Sequence, residues 1–256
     1  MAGAEGFEPS ALGFGDRCSN QTELRPYRPK PNSTHQVRSE DMAAFLANVG
    51  VNAGHAARSP RHEDGSFDLI PIPESLEWRP PMVSFAQLGL DVPPTWLVRA
   101  AHLDPDLSSA QPTYGDNCRF AGRAFSLRKA RRGDLIVFLA RLHPPAFALV
   151  GCLAIDDLLA DVTADPGSGW WDGNAHIRRA RAHDRWNSFW VFRGAKESRL
   201  LGRAQPFTRN EAEAVFGPTW RWRPHRTQLQ TIGSYTRAVR RIEGAGEKWL
   251  RKICLS

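Results

Sequence analysis

Apolar residues in this 256-residue chain gather in short runs bounded by turn formers. Such runs predict strands more often than long helices. Residues 44–51 (AFLANVGV) read as a buried strand. After a polar loop and the turn signal Asp64-Gly65, residues 66–72 read as a second strand, and the two as a hairpin or open two-strand unit. Pro71, Pro73, Pro80, Pro81, Pro93 and Pro94 then predict an extended course with little helix. Residues 119–132 carry apolar side chains on one helical face and arginines on the other, with Gly133 as a C′ stop. Residues 134–142 (DLIVFLARL) and 146–155 (AFALVGCLAI) form the clearest pair of strands, an antiparallel hairpin across His143-Pro144-Pro145.

A short helix is predicted over 156–160, a loop over 170–176, a strand over 188–193, and a helix from the capping box Thr208-x-x-Glu211 to Phe216. Residues 235–250 read as a closing helix. Strands cluster and helices interrupt irregularly, so the fold class is α+β. The expected architecture is a mixed, mostly antiparallel sheet or a partly closed barrel with flanking helices, in a single domain over 42–256.

Residues 1–41 differ from the rest, with few aliphatics and no period. They read as a disordered or non-native N-terminal extension. The stretch GAEGFEPSALGFGDRCSNQTELRPY resembles a translated transfer-RNA gene, since Phe7-Glu8 can be encoded by TTCGAA, the core of the TΨC arm. Met42 is then the expected start of the native protein.

Composition narrows the class. With 41% hydrophobic and 24% charged residues the chain is an ordinary globular one, not wholesale disorder. No apolar run approaches 18 residues, so no membrane association is expected. Four scattered cysteines without C-x-x-C predict neither a zinc knuckle nor a disulfide framework, which points to a reduced, cytoplasmic protein. The net charge of +7 invites a nucleic-acid partner. However, 29 of the 34 basic residues are Arg. Codon bias in a GC-rich genome produces that as readily as phosphate binding does.

Several stretches together resemble one family: N-V-G-V-N at 48–52, Arg58-Ser59-Pro60, E-D-G-S-F at 63–67, I-P-I-P-E at 70–74, H-L-D-P-D-L at 102–107 and G-D-L-I-V-F at 133–138. Their order and spacing are similar to the third nucleotide-modification-associated domain, a bacterial and phage family, over 42–242. Family members often open with Ser-Arg-Lys where this chain has Asn-Val-Gly. The resemblance implies association with systems that modify DNA bases or sense modified ones, with DNA or a nucleotide as partner and other proteins of such a system as further partners. It implies no particular reaction or cofactor.

The residues suggest where chemistry would sit. His102, Asp104 and Asp106 alternate in period two, so in an extended segment they project to one side. A histidine with two carboxylates can do acid–base work or bind a divalent metal. Three ligands alone do not call for a metal, and the group is assigned a catalytic role with no metal. Asp at turn starts is also common for backbone reasons. Asn52, His55 and Arg58, with Glu74 nearby, lie on loops and can bind a phosphate or a base edge, or serve as loop scaffolding. Tyr114 and Arg119 can form a stacking platform and a phosphate contact. Trp171, His176 and Arg178 can enclose a flipped base, although tryptophans mostly pack in cores. Arg199, after Ser198, can clamp an anion or sit in a turn.

The chain contains no G-x-x-x-x-G-K-[ST], G-x-G-x-x-G, G-x-S-x-G or H-E-x-x-H, and no H-x-E with P-C-x-x-C. Three readings follow. One is an enzyme acting on a nucleotide or DNA base, which predicts that the loops at Asn52, His102 and His176 converge in one pocket. Another is a reader of modified bases built on a PUA-like strand pair. The third is a structural partner in a modification or defence complex.

Overall fold

A computed structural model describes residues 42–117, 125–217 and 220–255. The expectations for residues 1–41, for the first part of the 119–132 helix and for Arg119 lie outside these. Among the described residues ten strands and five α-helices follow one another as β1 (Ala44–Val49), β2 (Ser59–Pro60), β3 (Ile72–Pro73), α1 (Phe85–Leu88), β4 (Ala101–His102), β5 (Thr113–Asp116), β6 (Leu135–His143), β7 (Ala146–Val162), α2 (Ala175–His183), β8 (Phe189–Gly194), β9 (Arg199–Pro206), α3 (Arg209–Phe216), α4 (Gln228–Tyr235), β10 (Arg240–Ile242) and α5 (Gly244–Leu255). Eight strands form an open mixed sheet ordered β10-β1-β6-β7-β8-β5, with β2 on β6 and β9 on β7. β3 and β4 form a separate antiparallel pair. The class is α+β, and the sheet does not close into a barrel.

The centre of the sheet follows from alternation with both faces apolar. Ile136, Phe138, Ala140 and Leu142 of β6 enter one core, and Leu135, Val137 and Leu139 enter the other. A strand covered on both faces reads as a continuous apolar run, and each large side chain buried there stabilises by about 1.5–3 kcal/mol. α3, α4 and α5 cover one face through Ala212, Val215, Ile232, Leu250 and Cys254. The opposite face packs against Leu107, Tyr114 and Phe192.

The structure corrects the sequence reading at several points. Residues 44–51 and 66–72 do not form a hairpin: β1 pairs in parallel with β6 and antiparallel with β10. Of 66–72 little is strand, because Pro71 and Pro73 lack ladder donors and the Ile70 amide is taken by the Ser59 hydroxyl at 3.0 Å. The helix expected at 156–160 is the continuation of β7, which bulges against β8 while Arg193 pairs with Asp156 at 2.6 Å. The closing helix over 235–250 is instead the end of α4, strand β10 and α5. Arg240–Ile242 completes the edge beside β1, and Gly244, at φ +64°, starts a new helix. Finally, the loop at 170–176 ends in α2. Beyond residue 124, the helix read over 119–132 is a 3-10 turn at Phe125–Lys129. Gly133, at φ +89°, lies in the turn that leads into β6, four residues beyond the end of that helical turn, and is not its C′ stop. Among the described residues no helix is long and apolar enough to cross a membrane.

Candidate functional site

Four segments bring a cluster of charged and polar side chains together. Glu74 directly follows β3, and its amide donates to the Ala100 carbonyl at 2.9 Å. β4 delivers His102, in register with Ile72. The chain then turns tightly, with the Leu103 amide on the Ala101 carbonyl and the Asp104 amide on the His102 carbonyl. This aims Asp104 back toward β5, where the Gly115 amide donates to its two carboxylate oxygens at 2.9 and 3.0 Å. α2 delivers His176 and, one turn later, Arg179. Its N-cap Asn174 accepts the His176 amide at 3.0 Å and donates to the Thr113 hydroxyl at 3.2 Å, which ties the first turn of α2 to β5.

The five side chains close a ring. Glu74 Oε1 accepts from His102 Nδ1 at 2.7 Å. His102 Nε2 lies 3.7 Å from Asp104 Oδ2, and His176 Nε2 lies 3.2 Å from that same oxygen. Arg179 reaches His176 Nδ1 at 3.3 Å and Glu74 Oε2 at 3.6 Å. The imidazoles meet edge to face with centroids 4.6 Å apart. The side chains of Asp104, His176 and Glu74 are 2%, 6% and 7% exposed, whereas that of His102 keeps 17%, so His102 is the opening of the cluster.

Burial sets the proton positions. It pushes the Asp104 carboxyl up to about 7, against the charges of His102 and Arg179 and the Gly115 amide. The His176 imidazole is pushed well below its ordinary value by burial and by the neighbouring cationic groups, so it is neutral near pH 7. For Glu74 burial acts upward, but the His102 hydrogen bond and the charges of His102 and Arg179 outweigh it and hold the carboxyl below its ordinary value. An ionised Glu74 accepts, so Nδ1 of His102 donates and its Nε2 faces Asp104.

Beside this ring lies a cavity of about 330 Å3, bordered by Asp104, Pro105, Asp106, Gly50, Phe67 and Leu200. Its volume is in the range that admits a small ligand. A crevice of about 10 Å3, room for a single water, lies against Glu74, Gly173 and Arg178. Among the described residues the Arg178 guanidinium has no hydrogen-bonded or ionic partner.

The structure separates the other sequence candidates. Asp106 does not share the side of His102 and Asp104, because the intervening turn breaks the period-two course; its carboxylate accepts the Ser109 amide at 3.2 Å. Asn52 borders a different cavity, of about 480 Å3, with Arg141, Gln230 and Arg237. His55 and Arg58 stay in the same loop. Arg58 donates to the carbonyls of Ala53, Ala57 and His55, and His55 Nδ1 accepts the Asn52 amide at 3.0 Å. Tyr114 is buried edge-on against Phe138, with its ring in the core rather than in a stacking position. Trp171 is half-buried beside Trp170 and donates to the Gly167 carbonyl at 2.8 Å. Arg199 opens β9 in register with Cys152, outside the ring. Sequence reasoning missed Gly115 and Asp116; a Thr-Tyr-Gly-Asp stretch gives no sign that its glycine amide holds an acid from another loop.

No curated protein and no solved structure matches the chain. Over residues 44–249 it matches the profile described as nucleotide modification associated domain 3, and the chain belongs to that family.

Proposed function

We propose that this protein acts on a nucleotide or on a base of DNA, and that the ring of Glu74, His102, Asp104, His176 and Arg179 is where the chemistry takes place. The observation that carries this reading is the convergence of two histidines and two carboxylates, three of the four almost fully buried, from separate segments of a nucleotide-modification domain. Burying that many ionisable groups costs stability unless they serve each other or a substrate, and buried titratable clusters beside cavities mark functional sites. A module that only reads a base needs aromatic walls and an Arg fork, not paired acids and imidazoles. In this reading the 330 Å3 cavity, which borders Asp104, receives the base or sugar, Glu74 fixes the ring of His102, and Arg178 meets a phosphate or a base edge.

The test is nucleoside mass spectrometry on DNA and on the nucleotide pool from cells that express the protein. Wild type should yield a nucleoside mass that Asp104→Asn abolishes, with the variant still folded. Purified Asp104→Asn should still be stabilised by the nucleotide or DNA that stabilises wild type. A ligand at 100 times its Kd adds about 2.7 kcal/mol, a readable shift in Tm. An unchanged nucleoside profile, together with an Asp104→Asn variant that binds modified DNA as wild type does, would replace this reading with the reader.

A further inference from the structure

We infer that His102 Nε2, Asp104 Oδ2 and His176 Nε2 form a binding site for one divalent transition-metal ion. The inference concerns the centre of the proposed function and names its cofactor. It is decided by ion binding alone, so it stands or falls separately from the substrate.

The three atoms lie within 4.8 Å of one another, with Asp104 Oδ2 at 3.7 Å from one imidazole nitrogen and 3.2 Å from the other. Ligands bound at 2.0–2.1 Å in a tetrahedral site stand about 3.3 Å apart, so small side-chain rotations bring all three onto one ion. Two imidazoles and a carboxylate suit zinc, iron(II) or manganese(II), and leave positions open for water or substrate.

The surroundings have the form of a supporting shell. Glu74 accepts from Nδ1 of His102 at 2.7 Å, the carboxylate–histidine contact that fixes which nitrogen faces a metal. Gly115 orients Asp104, and the Arg99 guanidinium holds the Glu74 carbonyl at 2.7 Å. A hydrogen bond between Asp104 and His176 alone would not require a second imidazole turned edge-on 4.6 Å away with its own carboxylate behind it. One group has to move. An ion on Nε2 leaves the His176 proton on Nδ1, which faces the Arg179 guanidinium, and Arg179 then turns toward Glu74 Oε2, 3.6 Å from it already.

The full-length, untagged protein, stripped with chelator, is titrated with zinc(II) and with cobalt(II) alone. One equivalent should bind, and cobalt should give visible d–d bands without a thiolate charge-transfer band. His102→Gln and His176→Gln should each weaken zinc binding by at least about tenfold with an unchanged circular-dichroism spectrum, and Glu74→Gln by about 10–100-fold. Substoichiometric binding, binding indifferent to both histidine substitutions, or a thiolate band would overturn the inference. If both histidine variants fail to fold, histidine resonances of the wild type decide: zinc must shift two imidazole spin systems, and unshifted signals overturn the site.

Discussion

The backbone amide of Gly115 donates to both carboxylate oxygens of Asp104, while the His176 ring fills the space where a Gly115 side chain would stand. Strand β5 therefore positions the acid and admits the imidazole at one residue. A Cβ at Gly115 would fall 2.3 Å from His176 Cδ2 and 3.0 Å from Asn174 Oδ1. Gly115→Ala must push α2 away or rotate His176 out of the ring. Overpacking of this kind costs about 1–3 kcal/mol, which in a chain of this size lowers Tm by roughly 2–4 °C per kcal/mol. Thermal unfolding should show that loss, and nucleoside analysis should show activity falling further than the lost stability explains.

Asn174 offers a second handle on the same geometry. It is fully buried, caps α2 and binds the Thr113 hydroxyl. Asn174→Ala removes the cap, worth about 0.5–2 kcal/mol, and leaves the Thr113 hydroxyl without this donor. Denaturant unfolding should show a lower midpoint with an unchanged m-value. Because the cap holds the backbone of His176 itself, zinc affinity should fall as well. Full affinity in a destabilised variant would mean that His176 is positioned from elsewhere.

The sheet is legible in the sequence where one strand's own pattern decides its fate. Leu135–His143 and the first half of β7 are apolar on both faces, and nothing but a central strand suits them. Legibility ends where partners far along the chain decide. Asp156 and Asp157 look like a helix start, yet they sit at a bulge where Arg193 pairs with both. Residues 240–242 look helical in isolation, but β1 offers an unfilled edge and they take it. The site shows the same division. His102 and Asp104 are close in sequence and read together, whereas Asp106 joins them only under a period-two rule that assumes an extended backbone. His176, which the fold sets 3.2 Å from Asp104, reads from sequence as part of a separate base pocket. Only the docking of α2 on β5 through Asn174 and Thr113 brings it over.

Arg58 tests the scaffolding side of the loop at 52–58. Its guanidinium is spent on carbonyls of its own loop, with Ala57 at 2.8 Å and Ala53 at 3.0 Å. Arg58→Ala should cost about 1 kcal/mol, since water replaces the donor at the exposed Ala53 carbonyl while the Ala57 carbonyl, on a buried residue, loses its partner. Affinity for a stabilising nucleotide should change less than about twofold. A loss of about tenfold in a calorimetric titration, near 1.4 kcal/mol, would instead make Arg58 a ligand contact.

Asp116 gives the pH dependence of the metal-free protein. At the end of β5, burial pushes its carboxyl up to about 7, and the charge of Asp104 acts in the same direction. The unfolded value is near 3.8, so between these limits the folded state holds a proton that the unfolded chain has released. The protonated carboxyl's contribution is therefore complete below about pH 4 and is lost as pH rises through about 7. A tenfold change in an acid dissociation constant is worth about 1.4 kcal/mol, so the whole effect amounts to a few kcal/mol. Chelator-treated wild type should unfold at lower denaturant at pH 8 than at pH 5. Asp116→Asn, which keeps the shape and cannot ionise, should be more stable than wild type at pH 8 and no more stable at pH 4. The slope that remains in that variant combines Asp104 with His176, whose lowered value makes stability rise with pH up to about 6.5, and saturating zinc should flatten the Asp104 part, because an ion on Oδ2 favours the ionised carboxylate. A variant whose slope equals that of wild type would mean that Asp116 is not the titrating group.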